Sequence, residues 1–264
     1  MPTISLIIST YNNPLALGEI LRRIECGTEL PEQVLISDDG SGEETRALVD
    51  QWIRESKLNI VHCWHEDKGF RKTRILNITL SRTTGEYVVY LDGDCLPMPC
   101  FIEDHRKLAE KGYFVQGRRA FVSEEAVQGL LRHEVSFFSL FLHRKIRGLV
   151  KSFRFPVPVV IRNRRHKGLI GCNLAIWTED LVAVNGYDEA YEGWGIGEDS
   201  DLCIRLYNKG LRRKFVYGRA IIFHLDHPPC SKDHVKKSLA RLQEAIDSKR
   251  VRCENGLDQC LETD

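Results

Sequence analysis

The sequence lacks the cysteine patterns that build zinc ribbons or disulfide frameworks. Its 264 residues include nine cysteines, but no two of them form a CxxC pair. The missing CxxC pairs argue against a zinc ribbon, and an odd number of scattered cysteines is not typical of a disulfide-rich secreted domain. We therefore expect the chain to work in a reducing cytoplasm.

The sequence also lacks a long hydrophobic run and an excess of charge of either sign. No stretch approaches 18 consecutive apolar residues, so we expect no segment to span a bilayer. The formal net charge is +1, which gives no general attraction to nucleic acid, and we expect no nucleic-acid partner. The opening "PTISLIIST" has neither a basic leader nor a cleavage site, and we interpret it as a first strand.

The composition that remains is typical of one large soluble α/β domain, alone or with a small annex. Hydrophobic residues make up 42% of the chain and charged residues 28%. Four apolar segments alternate with helical patterns in the first hundred residues: 4–10, 33–37, 59–64 and 87–91. This order predicts a mostly parallel sheet with helices on both faces, whose ligands bind at the carboxyl ends of the strands.

The second half of the chain is less regular. Apolar spacing over 124–148 predicts a long helix, and further strands are expected at "YFVQGRR", "LIGCNLAIW" and "AIIFHLDHPP". A helix is expected to open at "GEDSDLCIRLYNKG" and to end near Gly210. From residue 232 we expect a charged helix followed by a loose tail.

Two aspartates follow the fourth strand in "YVVYLDGDCLP". Asp92 and Asp94 stand on either side of one glycine, close enough to bind one hard divalent cation together. An ordinary Asp-Gly turn would explain the same residues, and the local sequence leaves both interpretations open.

Histidines end a late strand in "FHLDHPP". His224 or His227 could complete a carboxylate site, and imidazole suits Mn²⁺ better than Mg²⁺. A packed or surface role is an equal alternative for each. By contrast, His62 and His65 fall in a predicted strand, where an offset of three points to opposite faces, so we interpret them as structural.

The stretch "GWGIGEDSDL" places three acidic residues at a predicted helix start. Glu198, Asp199 and Asp201 could simply favour the helix dipole, or one of them could be a general base that removes a proton from a sugar hydroxyl. Trp194 offers an apolar surface for a sugar ring.

Basic residues occur in two stretches. A helix is expected from about Phe70 to Leu80. Arg71, Lys72 and Arg74 at its start could meet a diphosphate, although a solvated helix face is the alternative. Residues 143–168 carry many Lys and Arg among apolar residues and predict either a solvated loop or a surface for an anionic membrane.

Five motifs together resemble the family-2 glycosyltransferases with a GT-A fold. They are, in the family's order, "SLIISTYNNP", "VLISDDGS", "GFRKTRILNITL", "YVVYLDGDCLP" and "GWGIGEDSDLCIRL". The second half resembles the galactosyltransferase-type segment of bacterial chondroitin polymerase and the β-1,4-galactosyltransferases. The resemblance covers about residues 3–230 and implies a Rossmann-like central sheet with a smaller mixed acceptor-binding half.

The resemblance also implies roles for individual residues. Asp39 and Asp38 correspond to residues that bind uracil, with Thr10, Tyr11 and Asn12 near the nucleotide and Arg71 or Arg74 on the diphosphate. Asp92 and Asp94 match the DxD motif, in which the second aspartate binds the metal directly. His224 matches the late metal ligand, and His227 and Asp92 are the further candidates for metal ligands.

For the acceptor side, Asp199 matches the catalytic base, and Glu198, Trp194 and Asp201 match the acceptor region. Ile196 is an extra residue relative to the family's "GWGGED", and it can move Trp194 relative to Asp199.

The implied protein is an inverting transferase that uses Mn²⁺ or Mg²⁺ to move a sugar from a UDP-sugar to a glycan or lipid-linked acceptor. Bacterial surface polysaccharide or lipooligosaccharide synthesis is the expected setting, in the cytoplasm and at the inner face of the membrane. The alternatives are a sugar-phosphate nucleotidyltransferase, which "STYNNPLALG" does not favour because it lacks a glycine-rich basic phosphate loop, and a non-catalytic carbohydrate-binding relative. We expect a donor half at 1–115, an acceptor and base half at 116–231, and a C-terminal helix and tail at 232–264.

Overall fold

The computed structural model describes residues 1–148, 153–191, 193, 197–227 and 235–261. The first part of the chain alternates strands and helices as predicted. The elements are β1 (Ile4–Thr10), α1 (Pro14–Glu25), β2 (Gln33–Asp38), α2 (Glu43–Glu55), β3 (Ile60–Trp64), α3 (Lys72–Ser81) and β4 (Tyr87–Asp92).

The second part inserts short strands between helices. It contains β5 (Cys95–Pro97), α4 (Phe101–Leu108), β6 (Tyr113–Gln116), β7 (Arg119–Val122), α5 (Glu124–Leu131), α6 (Phe137–Leu142), β8 (Ile146–Arg147), β9 (Val159–Asn163) and β10 (Asn173–Trp177). The remaining elements are α7 (Thr178–Ala183), α8 (Glu198–Lys209), β11 (Arg212–Tyr217), β12 (Ile222–Leu225), α9 (Val235–Ser248) and α10 (Asp258–Leu261).

The strands form two sheets. The large sheet has eight strands in the order β3-β2-β1-β4-β10-β6-β11-β9, and a small sheet follows the order β5-β12-β7-β8. In the large sheet only β10 and β9 run against the other strands. The prediction of a mostly parallel sheet is therefore confirmed, and the carboxyl ends of β1, β2 and β4 meet at one edge.

Each face of the large sheet is covered by its own apolar core. One core packs α1, α2 and α4 against the sheet, and the other packs α3, α7, α8 and α9 against the opposite face. The proposed division at residue 115 falls inside β6, and strands from both segments share the sheet. We keep that division as a proposal about donor and acceptor functions and not about separate cores.

The predicted long helix over 124–148 is wrong. The chain forms α5 and α6 instead, and His133 between them has a φ of 59°, which helical backbone does not allow. Ser136 then starts α6 by accepting a hydrogen bond from the amide of Ser139 at 3.1 Å. The apolar positions of these two short helices also match the spacing of a single long helix.

The predicted loose tail is also wrong for the residues described. Cys253 and Leu257 are 3% and 2% exposed, and the Asn185 side chain bonds both Cys253 O and the amide of Asp258. Within the described ranges, none of the helices is both long and apolar enough to cross a membrane.

Candidate active site

The DGD turn lies where β4 leaves the large sheet and β5 joins the small one. Asp92 is the last residue of β4, and its Oδ1 accepts hydrogen bonds from Ser9 Oγ at 2.9 Å and from Lys72 Nζ at 2.7 Å. A Cβ on Gly93 would lie 2.3 Å from Ser9 O, so only glycine allows this close approach. The turn therefore fixes one carboxylate against β1 and leaves the next one to face the small sheet.

The small sheet brings two histidines to the second aspartate. Strand β12 pairs antiparallel with β5, with His224 opposite Cys95, so His224 lies beside Asp94. Asp94 Oδ2 is 3.2 Å from His224 Nε2 and 3.3 Å from His227 Nε2. Burial opposes ionisation of Asp94, but the hydrogen bonds from both histidines outweigh it and hold the pKa of Asp94 well below its usual range.

These three side chains form a group that fits a divalent ion. One ligand atom from each lies within 4.8 Å of the others, and among the described residues Asp92 is not part of the group. One carboxylate with two imidazoles is a mixed oxygen and nitrogen donor set, which suits Mn²⁺ better than the all-oxygen preference of Mg²⁺. We refer to Asp94, His224 and His227 as the Asp94 cluster.

Asp199 lies in the first turn of α8 and is held from two sides. The Gly171 amide donates to its Oδ2 at 2.9 Å, and the Tyr187 hydroxyl lies 3.5 Å from its Oδ1. Burial and the charge of Glu198 raise the pKa of Asp199 to about 7, although Lys72 acts in the opposite direction. A carboxylate with this pKa is suited to accept a proton near neutral pH.

Lys72 connects the two groups of carboxylates. A small cavity of about 10 Å³, enough for one water molecule, is lined by Lys72, Asp92, Gly171, Tyr187 and Asp199 among others. Burial would lower the pKa of Lys72, but the charges of Asp92, Asp199 and Glu198 outweigh it and raise that pKa well above its usual value. Lys72 is therefore a fixed positive charge between strand β4 and helix α8.

The expected diphosphate ligands were Arg71 and Arg74, and the structure brings neither to Asp92. The Arg71 guanidinium donates to Glu66 O, and Arg74 pairs with Glu189 at 3.2 Å. The predicted start of the helix near Phe70 is two residues early. Because helix α3 begins at Lys72, the Lys72 side chain lies at the edge of the sheet beside Asp92.

The predicted nucleotide residues gather at the ends of β1 and β2. Asp38 is fully buried and accepts hydrogen bonds from the Ser41 amide at 2.8 Å and from His62 at 3.0 Å. Asp39 is hydrogen-bonded to His65 at 2.7 Å and accepts from the Arg71 amide at 3.0 Å. His62 and His65 thus each hold one aspartate.

The residues after β1 link these loops. The Tyr11 hydroxyl donates to Asp67 at 3.0 Å while its ring is 52% exposed, and Asn12 Oδ1 accepts from the Gly42 amide at 2.9 Å. The hydroxyl of Thr10 is buried without a hydrogen-bond partner among the described residues. Thr10 lies directly opposite Asp38 in the sheet, so these two residues are neighbours at the ends of β1 and β2.

The prediction that Asp201 contacts the acceptor conflicts with its position. Asp201 is fully buried and accepts hydrogen bonds from Arg205 Nε at 2.7 Å and Arg250 Nη2 at 2.9 Å. Because both oxygens are bonded inside the protein, Asp201 anchors α8 and does not face a ligand. Glu198 is partly exposed beside Asp199, and Trp194 lies outside the described residues.

The fold is that of the GT-A glycosyltransferases. The chain superimposes on TarS of S. aureus in complex with UDP-GlcNAc with a TM-score of 0.66 and 15% identity, covering 98% of this chain and 69% of that one. A structure of GalNAc-T7 with UDP, GalNAc and Mn²⁺ gives a TM-score of 0.66 at 14% identity, covering 94% and 50%. The mannosyltransferase PcManGT from Pyrobaculum calidifontis, with GDP-Man and Mn²⁺, gives 0.59 at 21% identity, covering 93% and 64%.

The sequence matches two family models. Glycosyl transferase family 2 matches residues 5–169, and the N-terminal domain of galactosyltransferase matches residues 157–228. The chain therefore belongs to glycosyltransferase family 2.

Relatives of established activity are distant and longer. Chondroitin synthase of Escherichia coli is 25% identical over 85% of this chain, and validoxylamine A glucosyltransferase of Streptomyces hygroscopicus subsp. limoneus is 25% identical over 80%. The chain spans 35% of the first relative's length and 49% of the second's.

Gly171 gives a test of how Asp199 is positioned. A Cβ at residue 171 would lie 2.0 Å from Asp199 Oδ1, so Gly171→Ala must displace the carboxylate. We expect the turnover number for glycosyl transfer to fall by about 10²-fold, as for a misplacement of about 1 Å. Thermal unfolding and nucleotide binding should change little.

Gly18→Ala is the matched control. Its Cβ would only reach ordinary contact with Leu48 at 3.6 Å, in the middle of α1, and helix propensity favours alanine there. Unchanged turnover in Gly171→Ala would show that the Gly171 contact does not position a catalytic group.

Proposed function

We propose that the protein transfers a sugar from a UDP-sugar to a hydroxyl group of a glycan or lipid-linked acceptor, with inversion at the anomeric carbon. The observation that carries the proposal is the shared cavity in which Asp199, with a pKa of about 7, faces Lys72 and Asp92 close to the Asp94 cluster. The structures named with UDP-GlcNAc and with UDP and Mn²⁺ support the donor class. Chondroitin synthase supports a polysaccharide acceptor.

We assign the divalent metal to the Asp94 cluster, with Mn²⁺ preferred over Mg²⁺. Asp94 would supply the carboxylate ligand, and His224 and His227 the imidazole ligands. When bound, the ion would neutralise the diphosphate and stabilise it as a leaving group. Asp92 stays with Ser9 and Lys72 and helps to position the donor.

Other residues of the chain are assigned to the uracil, the diphosphate and the rest of the nucleotide. Asp39 is the better candidate for the uracil, since it is 7% exposed whereas Asp38 is fully buried. Lys72 adds a positive charge at the diphosphate, in the place expected for Arg71 or Arg74. Thr10, Tyr11 and Asn12 border the nucleotide cleft.

Asp199 acts as the general base. The acceptor oxygen forms its bond to the anomeric carbon as the bond to UDP breaks on the opposite face, and the hydroxyl proton passes to Asp199. A single displacement of this kind turns an α-linked donor into a β-linked product. Glu198 beside the base is the proposed acceptor contact, and Trp194 remains a proposal from the sequence.

Metal dependence is tested with Asp94→Ala, His224→Gln and His227→Gln. We expect each to weaken Mn²⁺-dependent UDP binding by more than tenfold, since even substitutions behind a metal ligand cost about 10–100-fold. Isothermal calorimetry with UDP, with and without Mn²⁺, measures this. Asp50→Ala, an exposed carboxylate on α2, serves as the control, and Mn²⁺ dependence that persists in Asp94→Ala would refute the assignment.

The pH profile tests the base. The base must be ionised, so kcat/KM should fall as pH decreases through about 7, and Asp199→Asn should remove this limb and lower turnover by about 10²–10⁴. Glu198→Gln should keep the limb but move it to lower pH, because the Glu198 charge raises the pKa of Asp199. A limb that persists in Asp199→Asn would place the base elsewhere.

Stability gives an independent readout of the same carboxyl group. Because its folded pKa lies above the ordinary value of 3.8, ionisation destabilises the folded state as pH rises from about 4 to 7. Asp199→Asn should therefore become more stable than the wild type over this range, with the difference largest above pH 7.

We further propose that the enzyme contacts the anionic inner face of the cell membrane. The contact surface would lie next to residues 143–168, the segment expected from the sequence. Within residues 143–168, salt bridges to acidic residues occupy four basic side chains: Lys145, Arg147, Arg154 and Arg162. Ile146 is buried, and residues 149–152 lie outside the described part of the chain. Three exposed apolar side chains lie together on α6: Phe138 (76%), Leu142 (67%) and Phe141 (40%), with the Phe141 and Phe153 rings 5.8 Å apart. Arg144 is exposed beside them.

Vesicle co-sedimentation tests this surface. We expect pelleting with anionic liposomes that decreases with salt and is lost in Phe138→Ser/Leu142→Ser, since apolar burial and charge act together. Ile53→Ser, which removes an exposed apolar side chain (44%) from α2, is the control. Equal pelleting of the wild type and the double variant would rule out α6 as the contact.

A further inference from the structure

An arginine without a counter-charge lies on an aromatic surface at the acceptor side of the sheet. Arg118 Cζ is 4.7 Å from the centre of the Phe215 ring and 4.9 Å from that of Tyr217. Among the described residues no carboxylate lies within ion-pair distance of Arg118, and its Nε is buried without a hydrogen-bond partner. A partly exposed guanidinium held in this way is prepared for an anionic partner.

Strand geometry places this arginine on the same face of the sheet as the base. Phe215 lies opposite Gln116 and Arg213 opposite Phe114 in the β6–β11 pair, so these side chains share a face. Phe114 belongs to the core that includes α8, whose first turn carries Asp199. Phe215 and Tyr217 therefore lie on the Asp199 side of the sheet.

The position along the edge also corresponds to the acceptor side. Strands β4, β6 and β11 run in the same direction, so their carboxyl ends share one edge. Only β10 separates β4 from β6, and at a spacing of about 4.8 Å per strand the end of β6 lies about 10 Å from the end of β4. This is the length of about two linked sugar rings.

Short contacts fix Arg118 relative to the base. Gly171, which bonds Asp199, is two residues from Asn173, and the Asn173 side chain donates to Arg118 O at 3.3 Å. A Cβ on Gly117 would lie 2.3 Å from Asn173 Nδ2, so the chain passes as close as glycine allows. The arginine and the base are therefore held by the same short segment.

The surface around Arg118 is open and apolar. Val159 and Ile161 on β9 lie opposite Tyr217 and Phe215 and are 52% and 45% exposed. Aromatic and aliphatic surfaces of this kind pack against the faces of sugar rings. We refer to Arg118, Val159, Ile161, Phe215 and Tyr217 as the Arg118 platform.

We propose that the Arg118 platform binds the acceptor glycan and selects acceptors that carry an anionic group, a hexuronate carboxylate or a phosphate, about two sugar units from the reacting hydroxyl. This rests on the proposed function. The rings and aliphatic side chains would hold the sugar, and the guanidinium fork would bind two oxygens of the anion. A neutral glycan would leave the guanidinium without its partner.

The test uses three matched disaccharides: cellobiose, its hexuronic acid form and its 6-phosphate. Ligand-observed NMR titration in the presence of UDP and Mn²⁺ gives binding, and transfer from a panel of UDP-sugars gives kcat/KM. We expect the wild type to prefer one anionic form by tenfold or more, and the form that is preferred distinguishes carboxylate from phosphate. Arg118→Gln should lower binding and kcat/KM for that form by about 10–100-fold and leave cellobiose and UDP binding unchanged.

Two further variants complete the test. Arg118→Lys keeps the charge but loses the fork and should retain part of the preference, and Arg212→Gln, an exposed arginine at the start of β11, should match the wild type. Equal binding of neutral and anionic disaccharides by the wild type, or an equal loss for both in Arg118→Gln, would overturn the inference. If no sugar is transferred but anionic binding still requires Arg118, the proposed function fails while the platform stands.

Discussion

The site depends on the attraction between the positive charge of Lys72 and the carboxylates around it. Three acidic residues, Asp92, Asp199 and Glu198, converge at the carboxyl edge of the sheet and would repel one another without a cation between them. Lys72 bonds Asp92 directly and keeps the pKa of Asp199 from rising further. One side chain thus stabilises the position of Asp92, lowers the pKa of the proposed base Asp199, and provides a charge that a diphosphate bound as we propose would meet.

Sequence reasoning performed best where the physical signal is local. Apolar strands such as β1 and β4 alternate with amphipathic helices, so the sheet, its direction and its two covered faces could be predicted. The DGD site was found because two aspartates end a buried strand, although the local sequence alone allowed an ordinary Asp-Gly turn as well. The histidines near Asp94 were found for the same reason, as residues at a strand end.

The failures occurred where long-range contacts decide. The role of Lys72 depends on the helix starting two residues later than predicted, and nothing local distinguishes it from Arg71 and Arg74. Asp201 has the same local sequence setting as Asp199, but Arg250, from beyond α9, holds it inside the protein. His133 and Ser136 break an apolar pattern that a single long helix fits equally well.

The pairing of β12 with β5 has a consequence for synthesis of the chain. Asp94 is synthesised well before His224 and His227, so the Asp94 cluster cannot assemble until β12 has been made and has paired with β5. A cation bound as we propose would therefore be captured only after β12 has paired with β5, and a chain interrupted before β12 would lack both histidines of the Asp94 cluster.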